Sequence, residues 1–245
     1  MPLSTDQAER YSRQTELPGW GESGQEKLLT SRVFVAGLGG LGCAAAVYLT
    51  AAGVGDLVVC DADTVERSNL NRQVLYGRGD LTFPKVATAA PRLSALNPDV
   101  KVTPVMAEID RRTAAGLIEG ADLVLDCLDN PETRRALNRA CLAAAIPMVY
   151  AAVSEYTGYM SFLHPPATPC LECFVGTTRP PVDPPIPGAT AGVIGTLQAM
   201  EALKFLTGTG ETLAGRLLIM EGAVPSFEVI EVARDPSCPA CSSLL

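Results

Sequence analysis

The sequence predicts an α/β fold: a Rossmann-like mixed, mainly parallel sheet with helices on both faces and antiparallel strands in the C-terminal third. Three observations carry this. Short apolar runs rich in β-branched residues alternate with helical segments through the first 153 residues, the rhythm of parallel strands covered on both faces. A Gly-x-Gly-x-x-Gly string, Gly37 to Gly42, sits between the first such run and the first apolar helix. Beyond residue 153 the runs alternate apolar and polar, as half-buried antiparallel strands do.

Taken in order, residues 1–30 are polar and amphipathic and close near Gly19 and Gly24. Residues 32–36 (RVFVA) read as a buried strand that runs straight into the glycine string. An Ala-rich helix follows to about Ala52, stopped by Gly53 and Gly55. Residues 56–60 (DLVVC) form a second strand ending at Asp61. Residues 85–96 read as a helix with Pro91 as a kink, 100–105 as a strand and 110–119 as a helix. Then come a strand at 123–127 (LVLDC), a helix at 131–145 with proline in its first turn, and a strand at 147–153. Strands at 158–163, 216–221 and 226–232 follow, with one long helix at 192–206 among them. The chain reads as one domain over 1–245, a nucleotide-binding part at 1–153 and a second part at 154–245 that extends the sheet.

Composition narrows the function. The formal charge is −8 on 245 residues and the pI is about 4.8, which argues against a protein held on nucleic acid by net charge. The apolar runs are too short or too interrupted to span a bilayer, and residues 1–20 carry charges without an apolar stretch. A cytoplasmic protein is the expectation, with no membrane and no nucleic-acid partner. The single histidine, His164, reads as a turn residue and removes Ser-His-Asp chemistry.

The glycine string stands where a dinucleotide fingerprint requires it, after a strand and opening a helix. Gly37 allows the tight turn, Gly39 lets backbone approach a phosphate, and Gly42 allows close helix packing. The helix N-terminus offers free N–H groups to an anion. Asp61 lies 19 residues past Gly42, the place of a carboxylate that accepts from ribose hydroxyls. The string alone leaves NAD, FAD and ATP open. The next residues lean away from NAD: Asp61-Ala62-Asp63 leads to Ser68-Asn69-Leu70-Asn71-Arg72-Gln73, and Lys85 follows Pro84. Two cations after the ribose-binding strand suit phosphoryl or nucleotidyl transfer, where charge builds on phosphate oxygens. Asn69 can orient an oxygen. Asp129, just past the strand at 123–127, is placed to hold Mg²⁺ on phosphates; the competing reading makes it the N-cap of the helix that begins at Pro131.

Four of the eight cysteines fall in two Cys-x-x-Cys pairs, Cys170/Cys173 and Cys238/Cys241. This spacing fits two halves of a Cys₄ zinc site, two unrelated thiol pairs, or a redox motif. Redox pairs favour a helix N-terminus, whereas Cys170 follows Pro169 in what reads as a loop. Cys43, Cys60, Cys127 and Cys141 read as small buried hydrophobes.

The ordered motifs resemble the ubiquitin-activating-enzyme-like superfamily, in its bacterial branch of molybdopterin-synthase adenylyltransferase (MoeB), ThiF and HesA-like proteins. They run from Arg10-Tyr11-Ser12-Arg13-Gln14 through Gly37–Gly42, Asp61–Val65, Ser68–Gln73, Pro84-Lys85, Asp126–Asn130 and Gly195–Ala202 to both cysteine pairs. The resemblance implies ATP-dependent adenylation of the C-terminal Gly-Gly carboxylate of a small ubiquitin-like sulfur carrier, giving acyl-adenylate and pyrophosphate. It places Gly37, Gly39, Gly40 and Gly42 with Asp61, Asp63, Ser68 and Asn130 about the nucleotide. It has Asn69, Arg72 and Lys85 contact the phosphates and Asp129 hold Mg²⁺. Arg13 would come from the second subunit of a homodimer, and one structural Zn²⁺ would join Cys170, Cys173, Cys238 and Cys241. Residues 154–245 then become the carrier-binding, zinc-stapled part, and a separate protein serves as sulfur donor. The chain departs from some relatives in having no cysteine between Phe174 and Gly192, which favours adenylation without covalent carrier transfer. Three other functions stay open on sequence: an NAD-dependent oxidoreductase, against which the lone histidine and the cations speak; a non-catalytic carrier-binding module of the same fold, against which Arg72, Lys85 and Asp129 speak; and adenylation of a peptide or a tRNA carboxylate or base, of which the low pI disfavours the RNA case.

Overall fold

A computed structural model describes residues 2–175 and 185–244. The polar N-terminal region forms three helices, α1 (Thr5–Arg10), α2 (Ser12–Thr15) and α3 (Gly21–Thr30). Ser4 starts α1 by a reciprocal cap with Gln7. The alternating part follows as β1 (Arg32–Ala36), α4 (Gly40–Ala52), β2 (Asp56–Cys60), α5 (Lys85–Leu96), β3 (Lys101–Val105), α6 (Ala114–Leu117), β4 (Leu123–Asp126), α7 (Pro131–Ala144) and β5 (Met148–Ser154). The remainder is β6 (Thr157–Leu163), α8 (Leu171–Phe174), α9 (Gly188–Thr207), β7 (Arg216–Glu221) and β8 (Ser226–Glu231).

All eight strands join one sheet in the order β3-β2-β1-β4-β5-β6-β7-β8. Pairing is parallel from β3 through β5 and antiparallel from β5 through β8, as the sequence predicts. The chain steps outward from β1 to β3 and then crosses back to β4, so the order reverses between β1 and β4. Ligand crevices in such sheets open there, beyond the carboxyl ends of the strands.

Successive strand residues point to opposite faces, and each face has its own apolar layer. Val33, Val35, Leu57, Val59, Leu123 and Leu125 pack with α4, α5 and α9. Phe34, Val58, Val124 and Met148 pack with Ile118, Leu137 and Cys141 on the other side. Helices α4 and α9 approach so closely that a methyl on Gly195 would lie 2.4 Å from the Leu41 carbonyl. At the far edge, every residue of β8 is exposed. Among the described residues no helix is long and apolar enough to cross a membrane.

Two expectations are corrected. The helix expected at 110–119 shrinks to Ala114–Leu117, because the Asp110 carboxylate accepts from the N–H groups of Arg112 and Thr113 and ties that stretch into turns. The long helix begins at Gly188, not Gly192, with Pro187 supplying an extended N-cap backbone. Part of the proline-rich stretch and of the segment between Phe174 and Gly192, namely 176–184, lies outside the described residues.

Candidate active site

The turn from β1 into α4 is built from glycine for three separate reasons. Gly37 has φ +91, and a methyl there would sit 2.9 Å from the Cys127 carbonyl. A methyl on Gly42 would lie 1.9 Å from the Gly37 carbonyl oxygen, so only glycine lets the helix fold back over the turn. Gly39 is the N-cap, and a methyl built on it would meet nothing nearer than Gln73 Nε2 at 3.9 Å. The backbone at Gly39 therefore faces open space, beside N–H groups that the first turn of a helix leaves unbonded. Gly40 faces Arg72 and Ala191, with a methyl there 2.9 Å from Ala191 Cβ and 3.4 Å from Arg72 Cγ. The start of α9 thus closes one side of the turn.

Asp61 leaves β2 with its carboxylate aimed back at the turn. Its Oδ2 accepts from the Leu38 N–H at 2.8 Å, and its Oδ1 accepts from the Asp63 N–H at 2.8 Å. Burial pushes this carboxyl above the usual carboxylate range, against the opposing pull of Lys85 and the two N–H groups. Lys85 opens α5, is buried, and reaches Asp63 Oδ2 at 2.8 Å and Asp61 Oδ1 at 3.7 Å. An ammonium held beside the turn by two carboxylates is a preformed cation for an anionic ligand.

The connection after β2 supplies the other polar groups. Asn69 is buried; its Oδ1 accepts from the Glu66 N–H at 3.0 Å, and its amide leans on Ser68 Oγ at 3.5 Å. Arg72 donates to the Ser68 carbonyl at 2.9 Å and to Asn71 Oδ1 at 3.0 Å, and among the described residues it pairs with no carboxylate. Its charge is thus uncompensated where it flanks Gly40.

Beyond β4 the structure bears on the capping reading of Asp129. Asn130 is the N-cap of α7, accepting from Glu132 and Thr133 N–H at 2.8 and 3.3 Å. Asp129 is exposed and makes no hydrogen bond or ion pair among the described residues, so the capping alternative is corrected and its carboxylate is left available. The sequence reading missed what aims this loop. Asp126 is fully buried and pairs with Arg134 at 3.4 Å, while its Oδ1 accepts from the Leu128 N–H at 3.1 Å. Arg134 in turn donates to the Ala151 carbonyl at 2.7 Å and to the Leu128 carbonyl, and lies 5.1 Å from the Tyr150 ring centroid. Both backbone groups of Leu128, the residue before Asp129, are therefore clamped. The signal in the sequence was an arginine eight residues after a strand-end aspartate.

Arg13 is not brought to the turn of its own chain. Tyr11, beside it, is buried: its OH donates to Asp99 at 3.0 Å and accepts from Asn97 at 2.9 Å. Gln14 donates to the Ala52 carbonyl at 3.0 Å. Ala52 ends α4, and a methyl on the following Gly53 would lie 2.7 Å from the Tyr11 hydroxyl, so both side chains sit at the C-terminal end of α4; Gly40 lies at the other end, about 18 Å away at ~1.5 Å per residue. Between these anchors the Arg13 side chain is 92% exposed, and its one ion pair among the described residues is a 3.9 Å contact to Glu16.

The four paired cysteines converge. Their sulfurs all lie within 4.8 Å of one another, with Cys170–Cys238 at 3.6 Å, Cys173–Cys241 at 3.5 Å and Cys170–Cys173 at 3.9 Å. Thiolates on a tetrahedral Zn²⁺ at ~2.3 Å stand about 3.8 Å apart, so the donor set fits zinc. Cys170 is the N-cap of α8, which corrects the expectation of a loop. Glu172, between the first two cysteines, accepts two 2.9 Å hydrogen bonds from Arg139 of α7 and so ties the cluster to the body. The other four cysteines are buried as expected; burial pushes the Cys43, Cys60 and Cys141 thiols up to about 12, which leaves them inert at neutral pH. An open cleft of about 760 Å³ between Thr212–Arg216 and Glu231–Ala233 lies at the other end of the sheet, since Leu217 pairs with Ser161 near the end of β6. No predicted site residue lines it.

The chain is similar to known proteins over nearly all of its length. A family model described as the ThiF family matches residues 11–240. The chain is 41% identical over 244 residues to the molybdopterin-synthase adenylyltransferase of Escherichia coli K12, covering 98% of each chain. It is 40% identical over 237 residues to the sulfur carrier protein ThiS adenylyltransferase of the same organism, covering 95% of this chain and 94% of that one. Among solved structures, E. coli MccB with MccA-N7isoASN superposes with a TM-score of 0.86 at 24% identity, over 98% of this chain and 75% of that one, which is a likeness of fold.

Proposed function

The chain belongs to the ThiF family, and from that premise we propose that it is an ATP-dependent adenylyltransferase acting on the C-terminal Gly-Gly carboxylate of a ubiquitin-like sulfur carrier. The observation that carries this reading is the open backbone at Gly39 flanked by Lys85, Arg72 and the inward-facing Asp61 carboxylate. The carrier carboxylate attacks the α-phosphorus of ATP. A carboxylate O–P bond forms, the bond to the bridging oxygen breaks, and pyrophosphate leaves with that oxygen and its electrons.

Each residue has work to do in this reaction. Asp61 accepts from the ribose hydroxyls. The N–H groups at Gly39 and Gly40 and the cations Arg72 and Lys85 hold the phosphates, with Asn69 and Ser68 orienting them. Two anions must meet, so fixed cations and dipoles around the α-phosphate lower the barrier where charge develops. Asp129, with Asn130 beside it, would hold Mg²⁺, which neutralises phosphate charge. Asp63 is the group from which Lys85 turns toward the phosphates. Arg13 of a second copy completes the cation set in a homodimer, an arrangement its outward display and its distance from the turn of its own chain support. Zn²⁺ on Cys170, Cys173, Cys238 and Cys241 is structural, because four protein ligands leave no open position. The residues before 154 then serve the nucleotide and those after it the carrier. Sulfur reaches the activated carboxylate from a separate donor, in the reducing cytoplasm.

Mass spectrometry of Gly-Gly-ended carrier proteins incubated with the chain, ATP and Mg²⁺ tests the reading. A carrier should gain one AMP, lost on treatment with hydroxylamine. A broad panel left unmodified while ATP still binds would overturn it.

A further inference from the structure

The Gln73 side chain makes no hydrogen bond among the described residues, yet it stands beside Gly39. It is 4% exposed. Its Oε1 is sealed from solvent and has no hydrogen-bond partner, and among the described residues its Nε2 has none either. That Nε2 is the nearest heavy atom to the space above Gly39, 3.9 Å from where a methyl would stand.

The segment that carries Gln73 is firmly placed. Its N–H donates to the Asn69 carbonyl at 2.9 Å, and its carbonyl accepts from the Tyr76 N–H at 3.1 Å. The Tyr76 hydroxyl donates to the Leu38 carbonyl at 3.1 Å. The segment is thus held beside the turn by backbone on both sides, with one polar atom of the amide hidden and the other nearest to Gly39.

An unpaired buried amide oxygen costs free energy, and a buried polar group left unsatisfied calls for a reason. Methionine would fill the same volume without the cost. The return has to come from the donor that faces Gly39. A neutral –NH₂ beside free helix N–H groups and two cations suits an anionic oxygen and no apolar group.

We propose that Gln73 is a nucleotide-contacting residue, its Nε2 donating a hydrogen bond to a phosphate oxygen seated over Gly39. This rests on the nucleotide reading of the turn. The contact adds a directional donor between the point charges of Arg72 and Lys85 and fixes the rotation of the phosphate it holds.

The test titrates the full-length chain calorimetrically with ATP and Mg²⁺, and separately with adenosine, which has no phosphate. Failure of the unaltered chain to bind ATP sinks the nucleotide reading itself and is read first. With Gln73→Met, ATP affinity should fall about tenfold, the effect of one lost hydrogen bond to a charged acceptor; adenosine affinity should hold, and Tm should not fall. With Gln73→Glu, ATP affinity should fall further at pH 8. It should recover toward pH 5 relative to the unaltered chain at each pH, as the carboxyl takes up a proton it can donate. ATP affinity within twofold of the unaltered chain in Gln73→Met would overturn the proposal. So would equal losses of ATP and adenosine, or a large drop in Tm, which would assign the side chain to shape or folding.

Discussion

The Lys85 ammonium lies 2.8 Å from Asp63 Oδ2, and the two side chains differ sharply in exposure: 6% for Lys85 and 71% for Asp63. A buried cation thus rests on a solvated anion, a pairing worth little on the Asp63 side because water competes for it. Exchange of that partner for a phosphate is therefore cheap. Lys85→Ala should lower the rate of carrier adenylation by ~10²–10³, the usual cost of removing one group that stabilises developing phosphate charge. Arg72→Ala should do the same. Single-turnover formation of the AMP adduct measures both, and near-normal turnover in either variant would remove that residue from the phosphate site.

Asp126 and Asp129 stand three residues apart and should answer mutation in opposite ways. Asp126 is fully buried against Arg134, so Asp126→Ala leaves a buried guanidinium uncompensated, a loss of about 3–5 kcal/mol. Asp129 has no partner among the described residues, so Asp129→Asn should leave Tm unchanged while abolishing Mg²⁺-dependent adenylation. Thermal melts alongside turnover separate the two. A fall in Tm for Asp129→Asn would return it to a structural role.

What was legible in the sequence was set locally. The glycine string declares itself because Gly37 and Gly42 meet backbone groups that a Cβ could not tolerate, Gly37 at Cys127 and Gly42 at Gly37. The inner parallel strands β1, β2 and β4 are apolar on both faces because both are covered, so Val33 and Phe34, on opposite faces, are equally buried. What was not legible depends on distant partners. Arg134 reads as one of several arginines in a polar helix until Asp126, Leu128 and Ala151 are seen around it. The choice of Asn130 over Asp129 as cap turns on a one-residue shift that propensity cannot resolve, both residues being good caps. The start of α9 was hidden by Gly188 and Gly192, which look like loop; what requires glycine at 188 is a distant backbone, since a methyl there would lie 2.3 Å from the Asn71 carbonyl oxygen. Arg13, 92% exposed on its side chain, carries no local sign of the role in a second copy that is proposed for it.

Burial raises the Asp61 carboxyl above its ordinary range, and the sign of the consequence is definite. A carboxyl whose folded pKa exceeds its unfolded value binds more protons when folded. Stability is then greatest below the unfolded value of about 3.9 and declines as pH climbs from there to the raised folded value. Asp61→Asn should remove that decline and also weaken ATP binding, since an amide is a poorer acceptor for two ribose hydroxyls. Denaturant melts of both proteins between pH 3.5 and pH 7 measure the difference, ~1.4 kcal/mol for each unit by which the value is raised. Parallel curves would mean that Lys85 and the two N–H groups fully offset the burial.

The four sulfurs of the cysteine cluster join α8 to the C-terminal segment, 68 residues apart in sequence, and pack against Leu142 of α7, whose apolar layer lies on the sheet face opposite α4. Removing the metal should therefore cost stability and spare chemistry. The chain as isolated should carry one zinc per copy by elemental analysis. Cys238→Ser should lose it and lower Tm, because a three-ligand site binds far more weakly and the loop closure it enforced is released. Turnover per folded molecule, measured well below the new Tm, should change by less than about threefold, since the closed four-ligand site contributes no open position to the reaction. Loss of adenylation in a variant that remains folded would place the metal, or the segment it holds, in the path of the carrier tail.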